Sequence, residues 1–316
     1  MLGEPGREVL RHRSGPPAPG WRQRGAHLGL ALRVATAITQ GLPEPVRYGL
    51  ADIGGLAAHR LLASRASIAA ENYLSFTGGD RASAVRLTRR AFRNYARTVL
   101  DFLVLERLLA RVKATQGALA TEPLRRELAQ GRSVIVVTPH FGNWDLGAAV
   151  TATCGRPVHA VADQFGPPAV DQLVRSAREK LGVKVIPSGP SSAREALRAL
   201  RRGEVLCLAA DIDKTGSGVG VTFLGRPVFL PAGPATLAIR TGASVIPGYV
   251  RRLPAGGYEA ALLAPLPQPT DGPTEQRVAE LTQLIADAFE EMIRLDPSQW
   301  FAFHHLISSA EEVQPQ

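Results

Sequence analysis

The chain has 316 residues, 45% hydrophobic and 21% charged, which is long enough for one large domain or two modest ones and apolar enough for a sizeable core. Its net charge of +9, carried almost wholly by arginine, favours anionic partners: nucleic acid, an anionic membrane face, or phosphorylated and acidic substrates. Two cysteines, Cys154 and Cys207, lie in apolar segments without the spacing of a metal site or a disulfide framework, so reduced, buried thiols of a cytoplasmic protein are expected.

Residues 1–27 are polar, basic and rich in Pro and Gly, with no apolar run like that of a secretory signal peptide, and are expected to form a disordered basic tail. Two apolar stretches follow, "LGLALRVATAITQGL" (28–42) and "VRYGLADIGGLAAHRLLA" (46–63), broken by Arg33 and by Arg47, Asp52 and His59. Neither supplies the roughly 20 uninterrupted apolar residues of a membrane span. They read either as helices lying on or dipping into a membrane surface, or as two ordinary core helices. Around 83–109 Phe92, Tyr95, Val99 and Phe102 share one helix face, and Arg86, Arg90, Arg93 and Arg97 share the opposite one. That arginine stripe is a solvated charged face or a surface that attracts phosphate, since guanidinium forks bind phosphate in pairs of hydrogen bonds.

From residue 131 short β-branched runs alternate with helical stretches. Strands are expected at 133–138, 158–162, 183–187, 204–210, 244–250 and 258–264, and helices at 168–181, 191–202, 232–241 and 274–295. The alternation predicts an α/β fold with a mixed, mostly parallel central sheet flanked by helices and a helical N-terminal membrane-docking subregion. The expected boundaries are a helical subregion at 28–112, an α/β core at 113–308 and a short tail at 309–316. No internal repeat or long Pro/Ser linker calls for a second independent domain.

The segment "TPHFGNWDLG" (138–147) follows the apolar strand "SVIVVT". Pro139 stops the strand, Gly142 permits a tight turn, and Asn143 is a suitable N-cap for a helix running to about Thr153. His140 therefore falls just beyond the carboxyl end of a strand, where open α/β sheets bind ligands. Asp145 falls in the first helical turn, where a carboxylate is favoured by the helix dipole. A neutral imidazole there can take a proton from a hydroxyl while a carboxylate on its other nitrogen holds the tautomer. Taken alone, the His-x4-Asp spacing is equally that of a strand-end histidine and a carboxylate that merely complements the dipole.

"HFGNWD", its place after an apolar strand, and several later stretches resemble the bacterial lipid A biosynthesis and phosphatidylinositol mannoside acyltransferase family, glycerolipid acyltransferases with an HX4D motif. The lipid A branch usually carries glutamate where this chain has Asp145, and the mannoside branch carries aspartate. "LAADIDKTGSGVGVTFLGRPVFLPAGPATLAIRTGASVIPGYVRR" (208–252) is similar to the family's Asp-x-Asp segment, its "FFG" turn and its "LPAGPA" helix entry. "DPSQWFAFHH" (296–305) is similar to its Pro-x-Gln-Trp ending. The resemblance runs from about 28 to 306. It implies His140 as base and Asp145 as its partner, with Asn143, Asp163, Arg178, Asp211, Asp213 and Arg226 binding substrate or bracing the site. Each of the last five is otherwise a surface, loop or turn residue. One position departs from the mannoside branch, which often has an acidic residue in a "GVEV" stretch: here "GVGV" puts Gly220 there.

What the resemblance implies is O-acyl transfer from an acyl thioester, on coenzyme A or acyl carrier protein, to a hydroxyl of a glycolipid or phospholipid. Thioesters are already activated, so no metal or other cofactor is required, only proton removal, orientation and donors for the developing oxyanion. The implied partners are anionic membrane lipids and the two substrates, at the cytoplasmic face of the inner membrane, peripheral or monotopic, with no nucleic acid. An α/β hydrolase would want a G-x-S-x-G elbow, and none is present. A nucleic-acid binder would want basic and aromatic residues interleaved on a reading surface, and aromatics are only 6% of the chain. A catalytically silent lipid-binding protein of the same fold is the remaining alternative.

Overall fold

The computed structural model describes Val34, residues 36–213, Gly216 and residues 218–306; the tails expected at 1–27 and 309–316 lie outside the described residues. Residues 36–41 are helical, and after them come α1 (Glu44–Leu61), α2 (Ala63–Tyr73), α3 (Arg81–Phe102), α4 (Leu105–Gln116) and α5 (Glu122–Ala129). Asp80 caps α3, its side chain accepting from the N–H groups of Ala82 and Ser83. The helical pattern at 83–109 is in fact two helices. The ladder tightens to three-residue bonds at Leu103 and Val104, and the Gln40 side chain donates to the Leu103 carbonyl. The apolar period runs on through the break, so the sequence does not display it.

Helices α1 and α3 touch backbone to backbone at Gly55, where an added Cβ would stand 2.7 Å from Arg93 Cα. Beside this contact Asp52 of α1 accepts from Arg93 and from both Arg97 Nε and Nη2 (2.7 Å each). Burial pushes the Asp52 carboxyl up, but the two guanidinium groups outweigh it and hold it below its usual range. Half of the arginine stripe thus joins two helices. Arg86 lies 3.8 Å from Asp80, and Arg90 lies 4.0 Å from Asp296.

The opposite face of α1 has no partner among the described residues. Val46, Leu50, Ile53, Ala57 and Leu61 fall within about 80° of arc and are all exposed, Ile53 at 68% and Leu61 at 83%. Arg60 is the one charged residue bordering that face. Among the described residues no helix is long and apolar enough to cross a membrane.

The remaining elements are β1 (Val134–Thr138), α6 (Trp144–Thr151), β2 (Val158–Ala162), α7 (Pro168–Lys180), β3 (Val183–Pro187), α8 (Ser192–Arg201), β4 (Val205–Ala209), β5 (Val219–Phe223), β6 (Arg226–Leu230), α9 (Gly233–Thr241), β7 (Ser244–Arg252), β8 (Tyr258–Leu262) and α10 (Thr274–Leu295). Six strands form one sheet in the order β3-β2-β4-β1-β7-β8, parallel except for β8, so the α/β fold with a mostly parallel mixed sheet is as expected. Residues 134–137 of β1 are buried, as a central parallel strand covered on both faces must be. The chain leaves β1 toward β2 and β3, returns to insert β4 beside β1, and then places β7 on the other side of β1. The switch in direction opens a crevice at the carboxyl ends of β1 and β4.

Strands β5 and β6 were not expected. They form a separate two-stranded ribbon closed by Leu224 and Gly225, both at positive φ (55° and 74°), the backbone of a type I′ turn. Gly220 and Pro227 dilute the strand signal, and a ribbon outside the main sheet tolerates a proline. The ribbon is fixed to α10, where Glu290 accepts from the Leu224 N–H and Gln283 bonds Thr222 through both its N–H and its carbonyl. One apolar core joins Leu281, Ile285 and Phe289 of α10 to Ile135, Phe223, Leu230, Val245 and Trp300. Ala69, Tyr73, Ala84 and Ala91 belong to the same core, so α2 and α3 are packed into the α/β unit.

Candidate active site

Strands β1 and β4 are neighbours with Thr138 opposite Ala209. Two residues beyond these paired ends stand His140 and Asp211, so the parallel register itself brings them face to face. Asp211 Oδ1 lies 2.6 Å from His140 Nδ1 and also accepts the His140 backbone N–H at 3.0 Å. Its other oxygen accepts the indole N–H of Trp300 at 2.8 Å. Asp211 is 2% exposed. Burial pushes its carboxyl up, but the charge and hydrogen bonds of His140, the Trp300 donor and the His140 backbone N–H outweigh that and hold it below the usual carboxylate range. An ionised Asp211 can only accept, so Nδ1 carries the hydrogen, and in the neutral imidazole the lone pair is on Nε2. The imidazole is partly open, at 31% side-chain exposure.

The turn bearing His140 is clamped from several elements. Its carbonyl accepts from Phe301 N–H at 2.8 Å, Gly142 N–H donates to the Gln299 carbonyl at 2.8 Å, and Asn143 N–H donates to the Val250 carbonyl at 2.7 Å. Thr98 of α3 donates to the Gly142 carbonyl at 3.2 Å. Gly142 has φ +61°, and an added Cβ would sit 2.0 Å from the Val250 oxygen, so only glycine fits. Asn143 caps α6 as expected, its side-chain oxygen accepting from Leu146 N–H at 2.9 Å. This leaves the N–H groups of Trp144 and Asp145 at the helix start without intrahelical acceptors. The Trp144 ring meets His140 edge-on at 5.5 Å and Phe301 at 5.9 Å.

The spacing argument expected Asp145 on the histidine ring. The carboxylate bonded to Nδ1 is instead Asp211, whereas Asp145 pairs with Arg178 of α7, Nε to Oδ1 at 2.7 Å and Nη2 to Oδ2 at 3.4 Å. The physical reason is register: the strand ends aim Asp211 at Nδ1, and the α6 helix turn carries Asp145 toward α7. Asp213 is buried and accepts from Gly218 N–H at 2.8 Å, closing the loop after β4. An added Cβ on Gly218 would lie 2.6 Å from that carboxylate. Asp163 is exposed just after β2, and Arg226 is exposed at the start of β6. His140, Asn143, Asp211 and the Asp145–Arg178 pair thus share one end of the sheet. Thr98, Gln299 and Trp300 were not singled out by the sequence, although the Pro-x-Gln-Trp stretch was visible.

An apolar slot lies between α6 and the sheet, lined by Trp144, Gly147, Val150, Cys207, Gly248 and Ala260 among others, and Thr138 and Trp144 place one end of it beside His140. Its width comes from small side chains on both walls. Cys207 is a free thiol, its pKa pushed up to about 12 by burial. Among the described residues no three His, Cys, Asp or Glu side chains converge as metal ligands would.

The sequence model described as Bacterial lipid A biosynthesis acyltransferase matches residues 22–308. A phosphatidylinositol mannoside acyltransferase of Mycobacterium tuberculosis is 34% identical over 177 residues, 55% of this chain and 54% of that protein. Its counterpart in Mycolicibacterium smegmatis is 32% identical over 176 residues, 55% and 56% of the two chains. The match to these mycobacterial relatives spans about half of their length. A lipid A biosynthesis palmitoleoyltransferase of Escherichia coli is 26% identical over 274 residues, 83% of this chain and 85% of that one.

Proposed function

The chain belongs to the bacterial lipid A biosynthesis acyltransferase family, and from that premise we propose that it moves a fatty acyl group from a thioester to a hydroxyl of a glycolipid or phospholipid. The observation that carries the reading is the His140–Asp211 contact at the crevice of the sheet. Asp211 holds the Nδ1–H tautomer, and Nε2 takes the proton from the acceptor hydroxyl as its oxygen attacks the thioester carbonyl. The imidazolium is stabilised by the buried carboxylate and then returns its proton to the leaving thiolate. The N–H groups of Trp144 and Asp145 at the start of α6 are the donors this reading gives to the developing oxyanion. Asn143 Nδ2, buried and without a partner among the described residues, is a further donor in the same turn.

Asp145 keeps its place in this mechanism as the anchor of α6, tied to Arg178 so that the helix N-terminus stays aimed at the reacting carbonyl. Asp163, Asp213 and Arg226 remain candidates for contacts to the acceptor or donor. The slot between α6 and the sheet opens beside His140 and marks the side from which the apolar tail approaches. The donor is acyl-coenzyme A or acyl carrier protein, both of which place the reaction on the cytoplasmic face. The names of the mycobacterial and enterobacterial relatives support a glycolipid acceptor.

Purified protein supplied with palmitoyl-coenzyme A or palmitoyl acyl carrier protein and a bacterial lipid extract is expected to yield an acylated lipid by mass spectrometry. His140→Ala should lower the rate by about 10³-fold, within the range of general-base contributions. A variant that retains full transfer, or an acyl-serine intermediate in the wild type, removes the reading.

Peripheral membrane attachment through the exposed face of α1 is part of the proposal. Burying a Leu or Ile side chain contributes about 1.5–3 kcal/mol. A Leu50→Glu, Ile53→Glu double variant should therefore bind phosphatidylglycerol vesicles at least about 100-fold more weakly. Both positions are exposed, so the thermal midpoint should not move; unchanged sedimentation with vesicles would assign attachment elsewhere.

A further inference from the structure

We infer that Trp300 is a positioning residue for the base: its indole N–H fixes the Asp211 carboxylate so that the remaining oxygen receives both the backbone N–H and the ring Nδ1–H of His140. The inference rests on the proposed role of His140 but is carried by separate geometry. Trp300 lies 160 residues from the histidine and is 1% exposed. Its ring is held edge-on by Tyr73, Phe76 and Phe223 at 6.0, 6.2 and 5.9 Å, and its carbonyl accepts the Tyr73 hydroxyl. Its immediate neighbours, Gln299 and Phe301, bond the two ends of the catalytic turn. One strap therefore positions both members of the pair: its backbone holds the histidine and its indole holds the aspartate.

A carboxylate is planar, so anchoring one oxygen sets the rotation of the other. With Oδ2 bonded to Trp300 at 2.8 Å, Oδ1 is presented to His140 at 2.6 Å and 3.0 Å. An indole N–H suits the task because it is uncharged, cannot act as an acceptor and does not titrate. A bulky apolar residue would fill the same space between the three rings without orienting anything. This is what separates positioning from packing.

The indole donor also draws negative charge away from the carboxylate. Without it Asp211 stabilises the imidazolium more strongly, so His140 should titrate at higher pH and the acidic limb of the rate profile should move upward. Among the described residues, the other charged groups at this end of the sheet include the Asp145–Arg178 pair of α6 and α7, Asp163 just after β2 and Asp213 on the loop of Asp211; Tyr95 of α3 is the nearby phenol, its pKa raised by burial and by Asp145. All of them are retained when only Trp300 is changed.

The test replaces the Trp300 indole with benzothiophene, which keeps the bicyclic ring and removes the N–H, and compares it with Trp300→Phe. Both are read by kcat and KM for acyl transfer and by NMR titration of the His140 ring. The expected result is a kcat about 10- to 100-fold lower, as for other partners that orient a reacting group from behind, with thioester KM unchanged and the imidazole midpoint moved upward. A benzothiophene protein with wild-type kcat and an unmoved midpoint makes Trp300 a packing residue only and overturns the inference, whether or not Trp300→Phe folds. If the midpoint moves but wild-type protein transfers no acyl group to any lipid, the positioning stands and the proposed function falls.

Discussion

Asp211→Asn is expected to lower kcat for acyl transfer by about 10³- to 10⁴-fold with little change in thioester KM, the scale of losing the carboxylate that holds a catalytic histidine in its working tautomer. The size of the effect follows from counting acceptors. Asp211 receives three N–H donors on two oxygens: two from His140 on Oδ1 and one from Trp300 on Oδ2. An asparagine has one acceptor oxygen, so its amide group must face either the indole or the histidine. If the amide faces His140, Nδ1 becomes the acceptor and Nε2 carries the proton, and the base is lost. If it faces Trp300, two donors oppose each other in a site that excludes water. Asp145→Asn makes a useful contrast. It removes the charge opposite Arg178 but leaves the histidine's own partner, so a loss of only about 10-fold is expected. Rates of purified variants on the same thioester give the order directly. If Asp145→Asn is the more damaging change, the orienting role goes to Asp145, as the five-residue spacing alone suggests.

That contrast marks where the sequence was legible. The apolar strands were, because a buried parallel strand is a run of β-branched residues whatever its place in the sheet. Their edges shifted by a residue or two, and helices α7 to α10 lay within a residue of their expected ends. The strand order was not legible. The pairing of His140 with Asp211 depends on β4 being inserted beside β1 in a particular register, whereas a linear reading sees Asp145 five residues away and Asp211 seventy-one. Asp211 was named from its resemblance to an Asp-x-Asp segment, and only the fold supplies its partner. Trp300 was visible only as part of the Pro-x-Gln-Trp stretch, because nothing local distinguishes an indole that donates to a buried carboxylate. The arginine stripe of α3 was read as a solvated or phosphate-attracting face, because periodicity on one helix cannot reveal that Asp52 of another stands opposite Arg93 and Arg97.

The largest stability effect should come from Asp101, far in sequence from the catalytic residues but joined to them. It is fully buried at the end of α3 and accepts from Arg47 at 3.3 Å, Tyr48 at 3.0 Å and Arg252 at 2.8 Å, and from the Tyr258 hydroxyl. Arg47 and Arg252 are themselves more than nine-tenths buried. Asp101→Ala leaves two guanidinium groups without their counter-charge in a medium that solvates them poorly, at a cost of about 3–5 kcal/mol. For a chain of this size that is a fall in thermal midpoint of roughly 10 °C. Replacing the whole ionic group is different, because it removes the desolvation penalty along with the attraction. Asp101→Leu with Arg47→Met and Arg252→Met should regain most of the stability that the single variant loses. Thermal melts of the two proteins separate a strained ionic knot from a simple packing site, since a site that only needs volume would tolerate Asp101→Leu alone. The same Arg252 guanidinium nitrogen lies 3.4 Å from the Thr98 hydroxyl, which in turn donates to the Gly142 carbonyl of the catalytic turn. The triple variant should therefore recover its melting point before its activity, because hydrophobic replacements refill the core but supply no donor to hold Thr98 against that turn.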